Sequence, residues 1–151
     1  MTTCRPFSPI SPDPLMKKFL QLGFLPRSHD LALLVLRLWL GLSMLVLHGW
    51  PKLQKLIAGE RKFSDPLGIG EFPTLITAVA VEALCAVLLV LGLFGRLAAL
   101  MLAGMMAVAW GVVHQMKLSG EGSGELAFIY LAGFLTILIA GTGKYSVAPQ
   151  G

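Results

Sequence analysis

The stretch LALLVLRLWLGLSMLVLHGWPK, residues 31–52, decides the fold of this chain. Residues 31–47 carry one charge, Arg37, and the stretch then closes on His48 and Lys52. At ~1.5 Å per residue, a helix over residues 31–47 crosses most of a ~30 Å hydrocarbon core. An arginine inside a bilayer is costly unless another group pairs with it, so we expect the rest of the chain to supply a partner.

The composition indicates an integral membrane protein. Of the 151 residues, 56% are hydrophobic and 13% are charged, whereas soluble domains average roughly 45–50% and about 25%. Twelve Lys and Arg against eight Asp and Glu give a net charge of +4. The basic residues form no dense patch, which excludes a nucleic-acid-binding surface and favours contact with anionic membrane lipid.

Four apolar runs predict an all-α protein, an integral membrane antiparallel four-helix bundle covering residues 31–147. Irregular backbone cannot face lipid, and the runs are too long for the strands of a barrel. Wetter segments rich in Gly, Pro and Ser separate the runs. The predicted spans are residues 31–47, 72–93, 97–113 and 126–140.

The two ends of the chain are polar. Residues 1–30 contain five prolines and lack the apolar region of a signal peptide, so we expect a retained N-terminal tail. Within that tail, residues 16–25 have the pattern of a short interfacial helix. Residues 148–151 form a C-terminal tail.

An even number of spans places both termini on one side of the membrane. Six Lys and Arg lie on that side and five on the other. Because cytoplasmic loops carry the excess of positive charge, we expect a multi-pass protein of the bacterial inner membrane with cytoplasmic termini.

Arg37 and Glu82 are the charges inside the first two predicted spans. Arg37 lies eleven residues before His48, and Glu82 lies ten residues after Phe72, so antiparallel neighbours would hold both charges roughly 15 Å from the same face. The spacing predicts a buried ion pair. Two interpretations follow: the pair fixes helix register, or it forms a polar centre that binds a quinone head group or relays protons.

A second group of residues gathers at one membrane face. His48 and Trp50 end the first span, Trp110 and His114 end the third, and Glu125 begins the fourth. Tryptophan at such a position is typical of an aromatic belt. The histidines are solvated or capping residues, proton acceptors at a quinone, or a pair of haem ligands. No further haem motif accompanies them.

The two cysteines predict no metal or redox site. Cys4 lies in the polar tail and Cys85 in an apolar run, and the chain has no C-x-x-C motif. Both are expected to be free thiols, and we predict no metal site.

The chain resembles the DoxX family of small bacterial membrane proteins. The resemblance lies in RLWLGLSMLVLHGWPKL (37–53), VEALCAVLLVLGLFGRLAAL (81–100) and ELAFIYLAGFLTILIAGTGKYSV (125–147). It implies four spans and quinone-coupled redox work, as in a thiosulfate–quinone oxidoreductase subunit and a membrane oxidoreductase complex. It also implies a candidate site, made of Arg37, His48, Lys52 and Glu82.

The leading hypothesis is a quinone- or redox-linked membrane subunit that works with a partner oxidoreductase and can form homo-oligomers. The alternative is a non-enzymatic membrane scaffold or small-solute binding protein in which the Arg37–Glu82 pair is structural. Under the leading hypothesis the catalytic residues are Arg37, His48 and Glu82. The residues expected to bind the quinone are His48, Lys52, Trp110 and His114, and a haem would instead take His48 and His114 as its ligands.

Overall fold

The structure is a computed structural model that describes residues 14–20, Leu22 and residues 28–148. All regular structure in these residues is helical. A short helix, α1 (Pro14–Leu20), overlaps the predicted interfacial helix, whose residues 21 and 23–25 lie outside the described part. Its position at the membrane surface stays a prediction.

Four further helices form the bundle: α2 (His29–Ile57), α3 (Glu71–Leu91), α4 (Gly95–Val113) and α5 (Glu125–Ala140). The first three are long and apolar enough to cross a membrane, whereas α5 is a shorter apolar helix. The predicted all-α membrane bundle is confirmed. The helix limits lie within two residues of the predicted spans, apart from the end of α2.

Local chemistry explains where the helices begin and turn. Ser28 caps α2, because its hydroxyl oxygen accepts a hydrogen bond from the Leu31 N–H at 3.2 Å. Between α3 and α4, Gly92 adopts the left-handed conformation, with φ 74°. A glycine takes this conformation without a steric penalty, which permits the tight turn between these two helices.

The helix α2 continues ten residues beyond the predicted end of the first span. A π turn at Leu45–Gly49 replaces the α-helical pattern, and the Trp50 N–H donates to the Leu45 carbonyl. Pro51 follows at the start of the next α-helical segment, where a missing N–H is tolerated. The helix therefore passes through the proline instead of stopping before it.

Each of the three long helices contains one π turn. The other two are Ala80–Cys85 in α3 and Ala109–Val113 in α4. Single π turns inside α-helices are rare and occur frequently at functional sites.

Two glycines of α2 set its register against α3. A Cβ atom at Gly49 would lie 2.6 Å from the Glu82 carbonyl oxygen, and one at Gly41 would lie 2.6 Å from Val90 Cγ2. Gly41 and Gly49 are eight residues apart in α2. The residues they meet in α3, Val90 and Glu82, are also eight residues apart but follow in the opposite order. The helices are thus antiparallel, with Gly49 level with Glu82.

This register shows that the predicted Arg37–Glu82 ion pair is wrong. Arg37 lies twelve residues before Gly49, which is roughly 18 Å along the helix. Its guanidinium donates instead to the carbonyl oxygens of Thr142, at 3.1 Å, and Tyr145, at 2.9 Å. The prediction failed because it measured the depth of Arg37 from His48 as the end of the helix, whereas α2 continues to Ile57.

The contact between Arg37 and the segment after α5 closes the bundle at one end. Lys144 reinforces it, since its N–H donates to Asp30 Oδ1 at 3.1 Å and its ammonium lies 3.7 Å from Asp30 Oδ2. The beginning of α2 and the residues after α5 therefore lie at the same end, as an even number of antiparallel helices requires.

The core is densest where α4 packs on α5. The small side chains of Ala99 and Ala103 are buried there and let the helix backbones approach. Leu102, Phe134 and Ile137 fill the space between the helices and are fully buried. This packing holds the loop between α4 and α5 at the end opposite Arg37.

Replacing Gly49 by alanine is expected to lower the free energy of unfolding by about 1–3 kcal/mol, the usual cost of overpacking. The added methyl group would meet the backbone of α3, which cannot move aside as a flexible side chain can. Unfolding of the purified protein in detergent measures the change.

Gly104→Ala is the matched control, because a Cβ atom at Gly104 meets nothing within 4 Å. Alanine is also the better helix former, so this variant should be as stable as the parent or more stable. Equal stability of the two variants would contradict the register.

Candidate functional site

A buried ion pair lies at the centre of the candidate site. The Lys52 ammonium, from α2, donates a hydrogen bond to Glu82 Oε2, from the π turn of α3. Glu82 is only 3% exposed. A carboxylate this deep in an apolar helix requires a compensating charge, and Lys52 supplies the one that had been expected from Arg37.

Lys52 can reach Glu82 because α2 extends past Pro51. Lys52 lies three residues after Gly49, so it begins almost one turn beyond the level of Glu82. Its flexible four-carbon stem spans the remaining distance. The ammonium also lies 5.8 Å from the centre of the Phe63 ring, which belongs to the loop between α2 and α3.

One face of this ion pair borders a cavity of about 300 Å³ that is lined by residues of α2, α3, α4 and α5. We call it the polar cavity, because titratable and hydroxyl side chains converge on it. Its lining residues are His48, Lys52, Glu82, Met106, Ala109, His114, Ser123, Leu126, Ala127 and Tyr130.

The polar cavity brings together four of the six residues proposed from the sequence, namely His48, Lys52, Glu82 and His114. Arg37 lies at the other end of the bundle and takes no part in it. Trp110 lies beside the cavity, with its ring 4.9 Å from the ring of Phe128.

His48 presents a buried nitrogen that has no hydrogen-bond partner. Its Nε2 atom is inaccessible, and none of the described residues lies within hydrogen-bonding distance of it. An unsatisfied buried polar atom costs about 1–3 kcal/mol, and such atoms in proteins call for an explanation. Its position on the lining of the polar cavity fits a nitrogen that bonds to a ligand.

His114 is oriented by the loop that follows α4. Its Nδ1 atom lies 2.8 Å from the Gly122 carbonyl oxygen. A carbonyl oxygen can only accept, so Nδ1 carries the hydrogen, and Nε2 of the neutral ring is an acceptor. Gly124 lets the loop fold back, because a Cβ atom there would lie 2.7 Å from His114 Cβ.

Tyr130 is the main lining residue that the sequence analysis missed. Its hydroxyl donates to Ser43 Oγ at 2.8 Å, which ties α5 to α2. Its ring stands perpendicular to the ring of His48, with the ring centres 5.8 Å apart. A tyrosine inside an apolar run needs a polar partner when it is buried, and that was the available signal.

The π turns of the three long helices carry His48, Glu82 and Trp110 respectively. A π turn inserts one residue into the helical repeat and so changes the direction in which nearby side chains point. Three such turns lie at the level of one cavity. The helices are thus irregular where the polar side chains converge.

The described residues contain no group of three or more His, Cys, Asp and Glu side chains placed to hold a metal ion. Cys85 is a free thiol in α3, half-buried and outside the cavity lining. Cys4 lies outside the described residues.

Comparison with known proteins gives matches at the level of sequence. The model of the DoxX family matches residues 32–115. A protein of Haemophilus influenzae, named only as uncharacterized, is 32% identical over 112 residues, which cover 66% of this chain and 76% of that protein. No solved structure matches the chain.

Replacing Lys52 by methionine is expected to cost about 3–5 kcal/mol of stability, because Glu82 would be left as an unpaired buried charge. Adding Glu82→Gln to that variant should restore most of the loss. Unfolding in detergent of both single variants and the double variant measures the coupling free energy.

Lys55→Met serves as the control, since Lys55 is exposed on the same helix and makes no ion pair among the described residues. Additive effects of the Lys52 and Glu82 substitutions would contradict the assigned pair.

Proposed function

Because this chain belongs to the DoxX family, we propose that it is a membrane subunit that binds a quinone head group in the polar cavity. A partner oxidoreductase would supply or withdraw the electrons. The observation that carries the proposal is that His48 lines the polar cavity beside the Lys52–Glu82 pair, while its buried Nε2 atom has no hydrogen-bond partner among the described residues.

The chemistry of the lining suits a quinone. A quinone head group has two carbonyl oxygens that accept hydrogen bonds, and the Lys52 ammonium and a His48 ring protonated at Nε2 are donors. The cavity volume of about 300 Å³ lies at the small end of the roughly 300–1,000 Å³ range for ligand sites. It fits a single ring better than a ring with a long tail.

The same residues can manage protons. Reducing a quinone to a quinol takes up two electrons and two protons. His48, Glu82 and His114 are titratable groups on one cavity and can hold or pass protons. The Lys52 ammonium would favour negative charge on a partly reduced head group, as preorganised cations do at reacting centres.

Electrons would come from a partner of the redox protein class. The sequence has two cysteines and no C-x-x-C motif, so it offers no redox dithiol of its own. Trp110 would support the wall of the site, since it packs beside His114 and Gly124. Arg37 has a structural role in this proposal, as the clamp on the residues after α5.

We place the protein in the bacterial inner membrane with both termini in the cytoplasm. The polar cavity then lies towards the periplasmic side, because the beginning of α2, with Arg37, and the residues after α5 lie at the other end of the bundle. A partner that exchanges electrons with the quinone would be a periplasmic or membrane protein.

Quinone is expected to copurify with the protein in mild detergent and to be lost from the variants Glu82→Gln and His48→Ala. Glu82→Gln removes the negative charge and His48→Ala removes the imidazole from the cavity lining, and neither substitution alters the helix backbone. Mass spectrometry of the extracted lipids measures bound quinone, and an added water-soluble quinone can be titrated into each purified variant.

The matched controls are Glu60→Gln and His29→Ala, whose side chains are exposed away from the cavity. They should retain quinone at the level of the parent protein. A Soret band would instead make His48 and His114 haem ligands. A colourless protein that binds no quinone would favour the scaffold or solute-binding alternative.

A further inference from the structure

A second cavity, of about 120 Å³, borders the other face of the Lys52–Glu82 pair. We call it the apolar chamber. Lys52 and Glu82 line both cavities, so the ion pair is their common wall. The remaining lining residues are Phe63, Ser64, Pro66, Leu67, Ile69, Thr74, Thr77, Ala78, Met105 and Val108.

The apolar chamber has little hydrogen-bonding capacity to offer. The Thr77 hydroxyl donates to the Pro73 carbonyl oxygen at 2.9 Å. The Thr74 hydroxyl lies 3.0 Å from Asp65 Oδ1 and 2.8 Å from the Gly70 carbonyl oxygen. Apart from the ion pair, the Ser64 hydroxyl and these two bonded threonines, the lining is apolar, so the chamber suits hydrocarbon better than water.

The loop that covers the chamber is fixed by hydrogen bonds. The Asp65 carboxylate accepts from the Gly70 N–H at 2.7 Å and from the Ile69 N–H at 3.0 Å. The bond from the Gly70 N–H, with help from Thr74, lowers the pKa of Asp65 below its usual range. The loop thus places the Phe63 ring 5.8 Å from the Lys52 ammonium. Through this contact the loop is connected to the Lys52–Glu82 ion pair.

We infer that the apolar chamber receives the first unit of a hydrocarbon chain carried by the ligand of the polar cavity. This inference rests on the proposed function and narrows its substrate class to quinones with a prenyl substituent. The polar cavity, at about 300 Å³, fits a ring, whereas the chamber is less than half as large, at about 120 Å³. One five-carbon prenyl unit matches that space.

Lys52 is the element that lets the substituent pass. Its ammonium holds Glu82 and at the same time lies 5.8 Å from the centre of the Phe63 ring, and its long, flexible stem is the part of the common wall that can shift while the ion pair is kept. Glu82, by contrast, is held in α3 at its contact with Gly49. The ligand would therefore lie against Glu82, with its ring on one side and its prenyl unit on the other.

The test compares a benzoquinone without a tail and the same ring with one prenyl unit, titrated into the purified full-length protein. Val108→Phe fills the chamber and should weaken binding of the prenylated quinone by at least about tenfold, given ~0.8 kcal/mol for each buried methylene group. Binding of the tailless quinone should change by no more than about twofold.

Val87→Phe is the matched control, since Val87 lines an outer groove between α2 and α3 and not the chamber. It should leave both affinities unchanged. Ala78→Leu fills the chamber from α3 and should repeat the selective loss, which guards against misfolding of the first variant.

The outcomes separate the two proposals. In one outcome, both quinones bind the parent protein, and the chamber variants weaken the binding of both equally or of neither. This result contradicts the chamber inference and leaves the proposed function intact. A parent protein that binds neither quinone overturns the proposed function, and the chamber with it.

Discussion

The contact between Gly49 and the backbone of Glu82 is the constraint on which the arrangement of the site depends. It fixes the depth of α2 against α3, and no residue larger than glycine fits at that point without displacing α3. The register then decides which cation meets the buried carboxylate. Lys52 reaches it, whereas Arg37 lies too far along the helix and binds carbonyl oxygens instead. The cavities on both sides of Glu82 follow from this choice.

Much of the fold could be predicted from the sequence, since apolar runs of span length leave little choice but helices. The extension of α2 could not, because a π turn is a shift in hydrogen bonding without a compositional signature. The first span was predicted to end at residue 47, although α2 continues through Pro51. Because this helix end was placed too early, the depth of Arg37 was wrong, and so was its predicted pairing with Glu82.

The candidate site was predictable in part. His48 and His114 could be placed at one level by counting spans, Glu82 was the charge inside the second span, and Lys52 could be taken from the family resemblance. All four residues of the polar cavity were therefore proposed before their geometry was known. Tyr130 was missed because it was interpreted as part of an apolar run. The apolar chamber depends on a loop held by Asp65, and sequence patterns do not predict how such a loop folds over a helix pair.

The hydrogen bonds from Arg37 to the residues after α5 have a consequence for the biogenesis of the protein. Chains are synthesised from the N-terminus, so α2 enters the membrane long before Thr142 and Tyr145 leave the ribosome. During that interval the guanidinium lacks the two carbonyl groups that accept its hydrogen bonds in the finished bundle. The nascent helix therefore needs a temporary host for its charge, such as the insertion machinery or the headgroup layer. Assembly is completed only when the last segment of the chain arrives.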